Sequence, residues 1–97
     1  MGDYSTIDPL LSAWASRHGL QVFTEHQDEE IRAVIFERDG VRKADLWIER
    51  PSAAGVGLHL VEFSRRGRDV LKRSDIQSSL TSLEADLDAL AVMAASW

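Results

Sequence analysis

The stretch SDIQSSLTSLEADLDALAVMAASW, residues 74–97, carries apolar residues at alternating spacings of four and three. This spacing aligns apolar side chains on one side of an α-helix of about six turns. Ser74 and Gln77 form the Ser-x-x-Gln pattern of a capping box, which satisfies free amides at a helix start. The sequence therefore predicts a long C-terminal helix, from Ser74 onward, that lies on a sheet. The apolar stripe comprises Ile76, Leu80, Leu83, Leu87, Leu90, Ala94 and Trp97.

The composition is that of an ordinary globular protein, with 97 residues, 44% of them hydrophobic and 28% charged. This length suffices for one hydrophobic core, so we expect a single domain over residues 1–97. The chain has no cysteine, which excludes disulfides, thiolate nucleophiles and cysteine-based zinc sites. No apolar run approaches the roughly 20 residues that cross a bilayer, and the polar N-terminus does not resemble a signal peptide. We therefore expect a cytoplasmic protein.

The formal net charge of −5 is unevenly distributed along the chain. Residues 65–73 hold five of the eleven cationic side chains, whereas the predicted C-terminal helix has four acids and no lysine or arginine. An acidic protein is poorly suited to nucleic acid, whose binding depends on a basic surface. We expect neither a nucleic-acid nor a membrane partner.

Upstream of this helix, helix-capping residues and β-rich runs predict a second helix and four strands. Residues 1–7 are expected to be a flexible start. Asp8 as N-cap, Pro9 in the first turn and Gly19 as C-terminal cap delimit a helix over residues 9–18. Runs rich in β-branched and aromatic residues predict strands over 20–26, 31–38, 41–50 and 56–64. The predicted architecture is an α+β fold of order αββββα, an antiparallel sheet with both helices on one face.

Asp39-Gly40 predicts a two-residue type I′ hairpin between strands two and three. With Arg38 and Val41 flanking the turn, an unbroken ladder pairs Ile35 with Ala44. It continues by pairing Ala33 with Leu46 and Ile31 with Ile48. Because side chains alternate along a strand, these six residues are predicted to form the core face of the hairpin.

The same register predicts an aromatic patch on the opposite face of the sheet. Arg32 would lie across from Trp47, a placement suited to a cation–π contact. An apolar patch rimmed by charge is typical of an interaction surface. Alternatively, arginine and lysine stems fold over the rings and cover them. The predicted patch comprises Arg32, Val34, Phe36, Trp47, His59, Val61 and Phe63.

Two further surfaces are candidates for binding. Residues 90–97 are apolar nearly all round, so Leu90, Met93 and Trp97 either meet another chain, as in a homodimer, or are covered within this one. Arg65, Arg66 and Arg68 precede the predicted helix N-terminus, which favours anions. That turn either binds a phosphorylated ligand or is simply solvated.

Signals for catalysis are weak. The three histidines lack metal-ligand spacing, and no serine lies in a glycine-flanked elbow. His59 on the outer face could approach Asp45 or Glu49, either as a general-base pair or as a surface ion pair. We predict no catalytic residue, no metal and no cofactor.

The outline of a small, acidic, cysteine-free chain with strands between two helices resembles several bacterial classes in shape and charge. These classes are secretion chaperones, toxin-immunity proteins and phage-encoded inhibitors. The sequence thus favours a non-catalytic protein-binding module, homodimeric, that binds through either the aromatic sheet face or the acidic surface of the C-terminal helix. The expected partner is a protein of basic character. The first alternative is a regulatory domain that binds an anionic ligand at the arginine turn. The least favoured alternative is a minimal enzyme that uses His59.

Overall fold

A computed structural model describes residues 4–26, 29–63 and 69–97. In this part of the chain, a short 3₁₀ turn (Tyr4–Thr6) precedes two helices and five strands. The helices are α1 (Asp8–His18) and α2 (Leu83–Ser96). The strands are β1 (Val22–His26), β2 (Glu29–Arg38), β3 (Val41–Ile48), β4 (Val56–Phe63) and β5 (Val70–Ser78).

The strands form one antiparallel sheet in the order β1-β2-β3-β4-β5. A single core cluster joins the 3₁₀ turn, both helices and one face of the sheet, so α1 and α2 pack on the same side. The predicted α+β class and antiparallel sheet are confirmed. The predicted number of strands is wrong, because the described chain has five rather than four.

The missed strand lies inside the stretch from which a long helix is predicted. Residues 70–78 pair with β4 along its whole length, and the helix begins only at Leu83. Ile76 packs on the core from β5, opposite Leu58, whereas Leu80 lies in the connection and is 53% exposed. A spacing of four fits a helix and also one face of a strand, and pairing with β4 decides between them. The capping box at Ser74 is therefore absent.

The β2–β3 hairpin contains a bulge that changes its register. The turn itself has positive φ at Asp39 (54°) and Gly40 (78°), as the predicted type I′ turn requires. Arg38 pairs with Val41, but beyond Glu37 the ladder shifts by one residue. A bulge inserts an extra residue on one strand, and every side chain beyond it changes face.

As a result, the core face of β2 is the opposite of the predicted one. Val34 pairs with Leu46, and Phe36 pairs with Ala44, on the side covered by the helices. Ile35 and Ala33 point to the outer side instead, opposite Asp45 and Trp47. The apolar residues on the helix-covered face of the hairpin are Val34, Phe36, Ala44, Leu46 and Ile48.

The N-terminal segment is part of the core. Tyr4 and Ile7 are buried, and the Tyr4 hydroxyl donates a 2.7 Å hydrogen bond to the Ile48 carbonyl. The expected flexible start therefore does not extend to residues 4–7, while residues 1–3 lie outside the described chain. Helix α1 includes Asp8 as its first residue instead of as its cap, and Gly19 ends it at φ 66°, as predicted.

Arg32 fastens this segment to the sheet from the helix-covered side. Its side chain is 9% exposed, and its guanidinium donates to both carboxylate oxygens of Asp8, at 2.7 and 2.8 Å. It also lies 4.3 Å from the centre of the Tyr4 ring and donates to the Ile31 carbonyl at 2.7 Å. The predicted contact between Arg32 and Trp47 is therefore wrong, and the ring under the guanidinium is Tyr4.

Replacing Arg32 with methionine keeps the aliphatic stem but removes the bidentate pair with Asp8. We expect Arg32→Met to lower the free energy of unfolding by about 2 kcal/mol, since the charged hydrogen bonds from the buried guanidinium to the partly exposed Asp8 carboxylate are lost. Arg50→Met is the matched control, because Arg50 also lies over the Tyr4 ring but is exposed. It should change stability by less than about 0.5 kcal/mol in urea unfolding. Equal effects of the two variants would contradict this role for Arg32.

Candidate partner-binding face

The outer face is the side of the sheet opposite the two helices. Among the described residues, both helices pack on the other side, so no helix covers it. Cross-strand pairs place Trp47 beside His59 and Asp45 beside Val61, with Arg73 and Asp75 on β5 next to them. An antiparallel sheet with one face packed and one open is common, and its open face is normally polar. Here it is polar only in part.

A concave groove of about 700 Å³ lies on this face. Trp47 is 48% exposed within it, and Phe23 on β1 is 38% exposed. Between these rings the floor is formed by small and aliphatic side chains of β2, since Ala33 is the partner of both Trp47 and Phe23. The apolar and aromatic residues that line the groove are Tyr4, Phe23, Ile31, Ala33, Ile35, Trp47 and Ile48.

A buried carboxylate lies at one side of the groove. Asp45 is almost fully buried, and Arg42 forms a bidentate ion pair with it, the Nε–Oδ1 distance being 2.8 Å. The hydrogen bond to Asp45 raises the pKa of Arg42 above its ordinary value. The Arg42 guanidinium also lies 4.9 Å from the centre of the Phe63 ring. Arg42 therefore compensates a charge that the sheet has removed from water.

His59 bridges two carboxylates at the other side of the groove. Its Nδ1 lies 2.6 Å from Asp75 Oδ1, and its Nε2 lies 2.8 Å from Glu49 Oε2. The hydrogen bond to Asp75 and then the one to Glu49 raise the pKa of His59 above its ordinary value of 6.5. Both ring nitrogens donate only in the protonated imidazolium, so this geometry suits the cation.

The neighbours of this histidine hold its partners in place. Arg73 Nε lies 3.0 Å from both oxygens of Asp75, and this contact, followed by the one with His59, lowers the pKa of Asp75. Glu49 lies over Gly57, where a Cβ would overlap the glutamate carboxylate. A glycine at this position therefore lets Glu49 reach His59.

Part of the predicted aromatic patch lies on the outer face. Trp47, His59, Val61 and Phe63 are there, although Val61 is nearly buried by its neighbours. Val34 and Phe36 lie on the helix-covered side, where they cannot join the patch. Arg32 also pairs on that side, with Ile48, although its side chain contributes to the lining of the groove. Their displacement follows from the bulge in the β2–β3 hairpin.

The predicted contact surface at the helix end is mostly core. Leu90 is fully buried, and Met93 and Trp97 are partly buried against the core cluster. Lys72 Nζ lies 5.9 Å from the centre of the Trp97 ring. Val92, Ala95 and Ser96 are the exposed residues of this end, with Val92 at 69%. One side of residues 90–97 is thus covered within the chain, and the other side is exposed.

Several members of the outer face were not anticipated. Ile31 and Ile35 were predicted to lie in the core, and Asp75 was predicted to lie in a helix. Neither prediction placed these residues on the outer face. The alternation of Arg73, Asp75 and Gln77 with Ser74 and Ile76 is a strand signal that could have identified β5. The anion-site prediction for Arg65, Arg66 and Arg68 falls on residues outside the described chain.

The described residues show neither a membrane-spanning helix nor a metal-binding group, and comparison with known proteins identifies no family. Over residues 4–26, 29–63 and 69–97, neither helix is long and apolar enough to cross a bilayer. The same residues hold no group of three or more histidines or acids that could bind a metal ion. Comparison of the chain with protein-family models, with curated proteins and with solved structures found no match.

The histidine bridge predicts a pH-dependent stability. The raised pKa means that the folded state binds the His59 proton more tightly than the unfolded state does. The contribution of His59 is therefore complete below the unfolded pKa of about 6.5 and is lost as the pH rises through the higher folded pKa. We expect the free energy of unfolding to be larger at about pH 6 than at about pH 8.5. His59→Gln should remove this difference, and a difference that persists in the variant would contradict the assignment.

The Arg42–Asp45 pair predicts a stability cycle. Arg42→Gln should lower the free energy of unfolding by about 2 kcal/mol, because it leaves the buried Asp45 carboxylate without its cation. Adding Asp45→Asn removes the buried charge and should restore more than half of that loss. Urea unfolding of the two single variants and the double variant measures the coupling. Additive effects would show that the pair is not coupled.

Proposed function

We propose that the protein is a non-catalytic protein-binding module and that its partner binds in the groove of the outer face. The observation that carries this proposal is Trp47, a half-exposed tryptophan in an apolar groove on the sheet face that the helices leave uncovered. Aromatic side chains in pockets dominate the energetics of protein interfaces. Trp47 and Phe23 are the proposed anchors for the partner.

The chemistry of the groove suggests what the partner presents. The floor formed by Ala33, Ile31 and Ile35 is apolar and accepts an apolar side chain from the partner. The Glu49 side chain is 60% exposed at the rim, and the whole chain has a net charge of −5. A segment with an apolar anchor complements the floor. The net charge of the whole chain would steer a segment that also carries a lysine or arginine toward the protein.

The contacts of both His59 ring nitrogens with carboxylates favour a role in binding rather than in catalysis. A general base needs a ring nitrogen that can reach the proton of a substrate. In this structure each ring nitrogen of His59 already lies within 2.8 Å of a carboxylate oxygen. The histidine therefore helps to hold the charged rim of the groove in place. We include in this proposal that the module is chaperone-, immunity- or inhibitor-like, as its size, charge and order of elements suggest.

The test is selection of a random peptide display library on the immobilised protein. We expect enriched peptides to combine a large apolar residue with a basic one. Trp47→Ala should weaken their binding at least about 30-fold, the effect of losing an interface hot spot. Because Trp47 is half exposed, the variant should keep its far-UV circular dichroism and lose about 1 kcal/mol of stability or less.

Leu80→Ala is the control, because Leu80 is equally exposed but lies in the β5–α2 connection. This variant should bind the selected peptides as well as the wild type does. Peptides that bind Trp47→Ala with unchanged affinity would overturn the proposed site. A Trp47→Ala variant that fails to fold would place Trp47 in the core and overturn its role as an anchor.

A further inference from the structure

We propose that two copies of the chain pair through the free edges of their β5 strands, antiparallel and about a two-fold axis at Ser74. The two five-stranded sheets then form one sheet of ten strands. This inference goes beyond the binding groove, since it assigns the edge of the sheet rather than its outer face. The geometry points to a second copy of this chain because the β5 sequence is complementary to itself in that register.

The β5 edge has the features of an available pairing surface. Strand β5 ends the strand order, so within the described chain β4 is its one strand neighbour. Residues 72–78 form an unbroken ladder with β4, which leaves a regular row of outward backbone groups on the other side. This segment has no proline, and the bulge lies before it, near Val70.

The lysine on this strand does not guard the edge. An edge strand is commonly protected by a lysine that projects beyond it into solvent. Lys72 Nζ instead lies 5.9 Å from the centre of the Trp97 ring, on the helix-covered side. The side chain is thus turned toward the protein's own C-terminal residue.

Two-fold symmetry restricts the registers that are allowed. The axis must be perpendicular to the sheet for antiparallel β5 strands to meet edge to edge, so both helix layers lie on one side. Residues that face each other must then lie on the same face of their strands, and the axis must pass through a residue position. The residues near the middle of β5 through which the axis can pass are Arg73, Ser74 and Asp75.

Charge decides among these three registers. An axis at Arg73 places two arginines opposite each other, and an axis at Asp75 places two aspartates opposite each other, which is destabilising. An axis at Ser74 places Arg73 of each chain opposite Asp75 of the other, twice. Within one chain Arg73 and Asp75 already form an ion pair at 3.0 Å, and both side chains are about half exposed. In this register the pairs of the two chains lie side by side, so the four charges alternate in one network.

Charge-swap variants test this register in solution. The wild type should sediment as a dimer of the 10.8 kDa chain at concentrations from about 1 µM to about 1 mM. Arg73→Asp and Asp75→Arg each place like charges across the axis, so each should raise the dimer dissociation constant at least about tenfold. An equal mixture of the two variants restores opposite charges and should form a heterodimer. The double variant Arg73→Asp/Asp75→Arg should form a homodimer again.

A cysteine at the axis tests the same register independently of charge. The chain contains no cysteine, and residues facing each other across an antiparallel pair lie about 4.5–5.5 Å apart at Cα, within disulfide range. Ser74→Cys should therefore form a covalent dimer under mild oxidation. Gln77→Cys, on the same strand but opposite Leu71 in this register, is the control and should remain uncrosslinked.

The outcomes separate this inference from the proposed binding groove. A wild type that stays monomeric at about 1 mM overturns the edge dimer. So does a dimer whose dissociation constant is unchanged by the charge swaps and that crosslinks equally through cysteines at positions 74 and 77. Trp47→Ala should leave the dimer intact, because Trp47 lies on β3, two strands away from the edge. Loss of dimerisation in Trp47→Ala would place the interface on the outer face instead and overturn this inference.

Discussion

The structure depends on the two-residue alternation of its strands and on the bulge that interrupts it in the β2–β3 hairpin. Before the bulge, Arg38 and Val41 follow the register set by the type I′ turn. Beyond it, Val34 faces the helices, whereas Ile35 faces the groove. Because the side-chain period is two, this one-residue shift decides which side chains form the core and which form the outer face.

The alternation also places the charged side chains of Arg32 and Asp45 in covered positions, and each of these charges is compensated by an opposite charge. On the helix side Arg32 is bound by Asp8 and Tyr4, and on the outer side Asp45 is bound by Arg42. A buried charge without a partner costs several kcal/mol, so these pairs strongly disfavour slipped registers that would separate them. The ionic pairs therefore contribute to the specificity of the fold as well as to its stability.

The sequence predicted what local chemistry determines and missed what the pairing of strands determines. Gly19, Asp39-Gly40 and the four upstream strands were identified because caps, turns and β-rich runs are local signals. The bulge and strand β5 were missed because both depend on a neighbouring strand, and the spacing from Ile76 to Leu80 fits either element. Trp47 was assigned to the correct face, because residues 44–48 alternate as predicted. Val34 and Phe36 were not, because the extra residue of the bulge, Lys43 on β3, shifts their partners by one position.

The two proposed binding surfaces, the groove and the β5 edge, lie next to each other and share residues. His59 on β4 contacts Glu49 from the β3 side and Asp75 on β5, so one imidazolium connects the groove rim with the edge strand. Asp75 accepts hydrogen bonds from both His59 and Arg73, and a change at either partner alters the charge that the edge presents. Because the carboxylate is shared, deprotonation of His59 weakens the groove rim and leaves more negative charge at the edge in the same step.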